Sequence, residues 1–355
     1  MLLAAVLALC LQEDATCSWL RFLARHQREE GSWGTAPDAC RCDLPKPALR
    51  VDAKGIEALI RELGRPEPDR RDDAESKLRA AGEAALPRLR KARDDPDPEI
   101  RARCEALCPA EPPRGEGGGD VELTALGLLN FLGSGYTHLS KDRYDGICFG
   151  TVVKKALQWL QARQEALGAF DPEDPVADTI AVYAVSEAYG MTGSMLIKDW
   201  AQKGVDRMAV RAPFDGRGFV WRGLALKSAE LADLRFPTEA ARDNLAGLLE
   251  SAGSAADTGA CFVAIFVEKR KDRVPDLDPG SLDPEAFYFG TLSSFHSNAP
   301  NGAQWKQWNA AMKALLIPAE RRGTGCERGS WDGQGYRGRV RTTALNAQNF
   351  QLWHR

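Results

Sequence analysis

Along the chain, stretches with apolar residues at three- and four-residue spacing alternate with stretches rich in small and apolar residues. The first kind predicts amphipathic outer helices over Cys17–Gln27, Thr151–Gln164, Met195–Met208, Thr238–Ser251 and Gly302–Arg321. The second predicts buried inner helices over Val121–Leu132, Asp178–Tyr189, Val220–Leu231, Asp257–Val267, Glu285–Phe295 and Val340–Trp353. The helix from Glu285 has only the short Asp278–Pro284 stretch as an outer partner, and counting it gives about six helix pairs. Small residues recur at similar depth in the inner set: Thr124-Ala125, Ala181, Gly223 with Ala225, Gly259-Ala260, Gly290-Thr291 and Thr342-Thr343-Ala344. Small side chains let inner helices approach closely around a narrow axis, in an open solenoid or a closed ring. Runs of alternating β-branched residues between hairpin turns are missing, so the predicted fold class is all-α.

One stretch breaks the rhythm. Residues 51–112 are charged and Ala-rich, with their own helical spacing at Ile56, Leu59, Ile60 and Leu63, and again at Ile100, Cys104, Leu107 and Cys108. Pro66-Glu67-Pro68 and Asp94–Pro98 are turn signals, and Asp97 can cap the helix after it. Gly82–Pro87 and Asp97–Arg101 resemble turns of HEAT repeats. About two such hairpins are too few to stand alone as a solenoid. The expected organisation is a first part over 17–50, a HEAT-like insert over 51–112, a Gly-rich linker over 113–119 and the remainder over 120–355.

Composition changes this picture little. The chain has 355 residues, 44% of them hydrophobic, and a net charge of -3, which gives no reason to expect nucleic acid or an anionic membrane as partner. Met1–Leu11 is almost wholly apolar, too short to span a bilayer but suited to a signal peptide over 1–16; a buried first helix is the other reading. Export fits the nine cysteines. Cys40, Cys42, Cys104 and Cys108 flank or end the insert, so a disulfide at its stem is expected, with Cys326 as a further partner. A zinc site on the same thiols, or Cys104 and Cys108 as plain buried apolar residues, are the alternatives.

Phe22-Leu23, then Gln27, then Gly31-Ser32-Trp33 repeats as Trp159-Leu160, Gln164 and Gly168-Ala169-Phe170, with Phe for the last Trp. Gly329-Ser330-Trp331 is a degenerate third copy. A Gln at a helix end can bond carbonyls, Gly turns the chain, and Trp packs between neighbouring pairs. This resembles the QW motif of squalene and oxidosqualene cyclases, which implies an α/α toroid with Gln27, Trp33, Trp159, Gln164 and Trp331 as structural residues. Phe131–Lys141, Ser186–Ser194, Ala225–Leu231, Trp305–Met312 and Gly325–Trp331 also resemble exported, planctomycete-type proteins with prenyltransferase/squalene-oxidase repeats. That resemblance implies architecture and compartment more than a reaction.

The chemistry of such families is not visible. The Asp-x-Asp-Asp acid of a cyclase is missing, as is a matched Asp, Cys and His set for a prenyltransferase zinc, so no cofactor and no metal are expected. Asp178 and Asp257 begin inner helices as N-caps or cavity ligands. Glu187 and Glu230 fall at helix interiors, facing a cavity or pairing with a neighbour. Tyr183, Trp221, Tyr288 and Phe289 lie toward early turns of inner helices, where a toroid of this class opens its cavity. Arg339 and Arg341 bracket Val340 at the start of the last inner helix, where a cation needs an acid or an anionic ligand beside it.

The expected function is an exported, non-catalytic binding or scaffolding protein using the cavity or the insert surface. The partner is a hydrophobic small molecule, a glycan, or another protein on the insert. The alternatives are a terpenoid- or glycan-active enzyme and a pure interaction module.

Overall fold

Asp-Pro steps set several helix starts. Proline fits the first helical position because its missing N–H needs no partner there, and the Asp before it caps the free amides that follow. Asp174 Oδ1 accepts from the backbone N–H of Val176 and Ala177 at 2.9 and 3.0 Å. Asp283 does the same for Glu285 and Ala286, and Asp97 for Glu99.

The structure, a computed structural model, describes residues 18–34, 52–81, 85–107, 118–210, 217–237, 239–243, 278–322, 326–333 and 335–352. Among these residues the protein is mostly helical, with almost no strand. A helix over 18–25 (α1) is followed by α2 (Ala53–Glu62), α3 (Pro68–Ala81), α4 (Leu86–Lys91) and α5 (Pro98–Leu107). Then come α6 (Gly118–Gly133), α7 (Phe149–Arg163), α8 (Pro175–Thr192), α9 (Met195–Val210) and α10 (Arg217–Leu231). The last described helices are α11 (Pro284–Asn298), α12 (Ala303–Ala319) and α13 (Gly335–Gln348). A two-residue antiparallel pair, β1 (Arg143–Tyr144) and β2 (Ile147–Cys148), precedes α7. Its turn, Asp145-Gly146, holds both residues at positive φ, the geometry of a tight hairpin that Asp-Gly favours.

The chain divides into two compact units, Met1–Cys42 with Gly117–Arg355, and Asp43–Glu116. The smaller unit builds its own core from Ile56, Ile60, Leu63, Leu78, Leu89, Ile100 and Cys104. Arg103 bridges Glu99, Asp72 and Glu75 on its surface, where such pairs add little each. Cys104 is buried in this core and Cys326 is half-buried. Cys40, Cys42, Cys108, the 1–16 stretch and Asp257 lie outside the described residues.

In the larger unit, α6, α8, α10, α11 and α13 are mostly buried, α7, α9 and α12 keep one exposed face, and α1 has only buried and half-buried residues. α6 packs between α8 and α13, α8 takes α10 on its other side, and α13 takes α11. Trp221 of α10 meets Tyr288 and Phe289 of α11, with ring centroids 6.0 and 5.1 Å apart.

One loop device joins α1 to α7, α7 to α9 and α12 to α1. Gln27 Nε2 donates to Gly31 O in its own loop and to Val152 O of α7, both at 2.9 Å. Gln164 Nε2 repeats this with Gly168 O at 3.1 Å and Trp200 O of α9 at 2.8 Å. The glutamines thus reach carbonyls of the following helix rather than the orphan carbonyls of their own. At the end of α12, Glu320 holds the corresponding place, and the Ser18 hydroxyl of α1 donates to it. The glycines are needed for two reasons. Gly31, Gly168 and Gly329 have φ of 108°, 94° and 86°, and an added Cβ would fall 2.2 to 2.4 Å from the oxygens of Lys155, Lys203 and Ser18.

The residue closing each loop is fixed the same way in all three copies. Trp33 N donates to Thr124 Oγ1 at 3.0 Å, Phe170 N to Asp178 Oδ1 at 2.7 Å, and Trp331 N to Thr343 Oγ1 at 3.1 Å. Trp33 and Trp331 also donate Nε1–H to Leu23 O and Leu316 O at 2.8 Å. Trp159 does not share this role. It is half-buried on α7 with the Arg163 guanidinium 5.1 Å above its ring, and Phe170 fills the buried position instead. Five residues before the Gln, Trp159 matches Phe22, whose ring meets His26 at 4.2 Å.

His26 Nδ1–H donates to Phe22 O at 2.7 Å, and burial pushes its pKa from 6.5 down to about 4. The unfolded chain therefore binds the proton first as pH falls. Stability should be full above pH 6.5 and decline toward pH 4, by about 3 kcal/mol for this group alone. Urea unfolding across that window checks it: His26→Gln should flatten the slope, and an unchanged slope would discard the assignment. A second pair of variants isolates the loop contact. Gly135 has φ of 85° with nothing near its Cβ, so Gly135→Ala should cost only the backbone term of about 1–2 kcal/mol. Gly168→Ala should cost about 1–3 kcal/mol more, because Lys203 O must move. Equal midpoints in chemical denaturation would show that the close approach is relaxed without cost.

Candidate functional site

Two different environments lie along the buried helices of the larger unit. Near their N-terminal ends, Arg341 of α13 stands between two acids. Its Nε–H donates to Glu122 Oε1 of α6 at 2.9 Å, and its Nη2 is paired with Glu285 Oε2 of α11. The second oxygen of Glu285 accepts Trp221 Nε1–H at 3.0 Å. Glu122 and Glu285 are buried, at 5% and 7% exposure, and the guanidinium between them offsets part of the cost of burying them.

Below this clamp lies an aromatic layer. Tyr183 of α8 approaches Trp221 with centroids 6.4 Å apart, and Trp221 stacks on Tyr288. All three rings are buried. These rings fill the space between the helices at that level.

A larger cavity of about 720 Å³ lies among Pro284, Phe287, Leu316, Trp331 and Thr342, and a second one is at the other end. It measures about 220 Å³ and lies between the C-terminal halves of α8 and α10, with Leu292 of α11 on its wall. Tyr183, Leu224 and Leu292 give it apolar walls, while Met191 and Leu231, 42% and 75% exposed, stand at its rim. Its polar groups are Ser186 and Glu187 of α8 and Lys227 and Ser228 of α10. Lys227 Nζ donates to His296 Nε2 of α11 at 3.3 Å, which leaves that imidazole neutral with its proton on Nδ1. Ser186 is fully buried and its Oγ has no hydrogen-bond partner. A buried hydroxyl left unpaired costs about 1–3 kcal/mol.

The chain matches no family model, no curated protein and no solved structure.

The residues singled out from sequence fall into three groups. Tyr183 lines the cavity, whereas Trp221 and Tyr288 belong to the aromatic layer above it. Asp178 is not the cap of α8. That place is Asp174's, and Asp178 is turned back to accept from Phe170 and Asp171 amides, with Arg207 Nε 3.9 Å away. Arg339 and Arg341 are not at a helix start, because α13 begins at Gly335. Arg339 pairs with Asp332 at 3.2 Å and Glu327 at 3.8 Å, so acids rather than a ligand account for both arginines. Glu230 is exposed and pairs with Arg242 at 2.7 Å.

Ser186, Lys227, Ser228 and His296 were not singled out as site residues. A signal for them exists: they are polar residues at helical spacing inside otherwise apolar, small-residue helices. Among the described residues no cluster of three His, Cys, Asp or Glu side chains is placed to hold a metal, and no helix is long and apolar enough to cross a membrane.

The clamp sets a prediction. Arg341→Met strips the counter-charge from two buried carboxylates and should destabilise the protein by about 3 kcal/mol, the low end for a broken buried pair. The low end applies because the Arg341 side chain is itself 26% exposed. Adding Glu122→Gln and Glu285→Gln should restore much of the loss. Denaturant midpoints that ignore the single change would show that water reaches these acids.

Proposed function

We propose that this protein binds a small molecule inside a ring of helix pairs of the squalene-cyclase type, without catalysis. The observation that carries the reading is the cavity holding a fully buried, unpartnered Ser186 hydroxyl beside the Lys227–His296 pair. The order of helix neighbours supports the ring. α6 meets α13 and α8, α8 meets α10, Trp221 carries α10 to α11, and α11 meets α13 again. The loop device supports it independently, since Glu320 and Gly329 lock the last amphipathic helix onto Ser18 of the first.

Two enzyme readings fit less well. A glycosidase needs two carboxylates facing a substrate, and the facing pair, Glu122 and Glu285, is occupied by Arg341. A triterpene cyclase needs an acid strong enough to protonate an alkene, and its Asp-x-Asp-Asp motif is missing from the sequence. Export remains part of the proposal, on the strength of the apolar Met1–Leu11 stretch.

Native mass spectrometry of the full chain from its own producing cells tests the function. A co-purifying small molecule is expected, and Leu224→Trp, which fills the cavity, should abolish it. Ligand restored at about 100 times its Kd should add ~2.7 kcal/mol of stability to the parent chain. Retention of the same molecule by Leu224→Trp would move the binding site elsewhere.

A further inference from the structure

We infer that the larger cavity, between α11, α12 and α13, holds a short uncharged stretch of extended peptide; this is a second site, apart from the one between α8 and α10. Two side chains of α13 point to it. Asn346 is 6% exposed and Thr342 half-buried, and both line the cavity. Among the described residues neither side chain has a hydrogen-bond partner, and neither polar end is sealed off from solvent. The Asn346 amide is a donor and an acceptor side by side, the complement of a backbone peptide group. A hydrocarbon in the cavity would take both from water with nothing in exchange.

Spacing selects a peptide among ligands able to answer an amide. Thr342 and Asn346 are four residues apart on one helix face, a rise of about 6 Å. Alternate residues of an extended chain, which present their backbone groups to the same side, repeat at about 6.6 Å. A strand laid along α13 therefore meets Asn346 with one backbone group and Thr342 with another two residues on. Its side chains are left to the apolar walls of Leu282, Phe287 and Leu316. Vicinal hydroxyls of a sugar ring lie too close together to span the two. The charged groups of the lining are three acids and two arginines, and each already has a partner. Glu320 accepts from Ser18, Arg321 pairs with Asp332, Glu327 with Arg339 at 3.8 Å, and the exposed Arg322 donates to Ile317 O at 3.2 Å. They leave no strong field of either sign, so the bound stretch is uncharged. About 720 Å³ lies within the ~300–1,000 Å³ of drug-sized ligands, which suits a tripeptide.

Isothermal titration of the full chain tests this with tripeptides capped by acetyl and N-methylamide groups, with alanine, leucine or phenylalanine at the centre. At least one should bind at or below about 10 mM. Ester analogues of the best one, each with a single N–H replaced by oxygen, should lose about tenfold at alternate positions and little at the others. Asn346→Leu should weaken the peptide by about tenfold and erase the largest of those losses. Thr342→Val, a gentler change on a half-buried residue, should weaken it by about threefold or more. Leu224→Trp, which fills the other cavity, should leave the peptide's Kd unchanged. Failure of all three tripeptides at about 10 mM overturns the inference, and so do esters that all match the parent peptide. N-acetylglucosamine binding as tightly as the best tripeptide would overturn it in favour of a glycan. Loss of the peptide in Leu224→Trp would place it in the other cavity and overturn it too. The small-molecule reading above stands or falls separately, on the mass-spectrometric result.

Discussion

Arg341 sits where a cation is costly to place, near the N-terminal ends of neighbouring helices, and it stays because two buried acids from distant parts of the chain require it. Glu122 comes from α6, Glu285 from α11 and Arg341 from α13, while Trp221 of α10 completes the set. No subset is stable by itself: a buried carboxylate without its guanidinium pays a desolvation penalty of several kcal/mol. Four helices must therefore be in register before the clamp closes. That condition selects one arrangement among the many that small-residue helices could adopt, because apolar packing alone tolerates sliding.

The loops impose a second, repeated condition. Each copy uses an amide or acid at the helix end, a glycine against the next helix's carbonyl, and a large ring whose amide is held by a helix side chain. The substitutions between copies keep the physics. Asp178 stands for Thr124 and Thr343 as the acceptor, and Glu320 stands for Gln27 and Gln164 by accepting from a hydroxyl instead of donating to a carbonyl. The buried acid Asp178 thereby has a structural explanation. An acid in the first turn of a buried helix reads as a ligand group until the loop that it anchors is seen.

Much of the helical order was legible because period and small-residue content speak directly about burial. Every predicted amphipathic or buried stretch that falls wholly on described residues is helical, and the paired Gln and Gly positions marked the loops correctly. What failed was assignment within a helix. Arg339 and Arg341 were read as lying at a helix start because Gly335-Tyr336-Arg337-Gly338 looks like a loop, although α13 includes it. Acids contributed by 122, 285, 327 and 332 cannot be paired with them from one sequence. Trp221, Tyr288 and Phe289 cluster near the early turns of α10 and α11. Aromatic rings fill space as readily as they line it, and here they fill it.

Helix polarity accounts for the division of the two ends. The side chains that meet across helices occupy like positions: Lys227 and His296 in the later halves of α10 and α11, Asn130 and the Ala344 carbonyl in those of α6 and α13. Neighbouring buried helices thus run in the same direction, and their dipoles add. One end favours negative groups, and there Glu122, Glu285 and Asp178 are found, each engaged by an arginine or by backbone amides. The other end favours positive groups, and Lys227 is found there with a neutral imidazole beside it. The acidic end can be closed, because one guanidinium satisfies both carboxylates and a ring layer can seal it. The opposite end holds an ammonium on one helix and an acid and a buried hydroxyl on another, around a cavity of about 220 Å³.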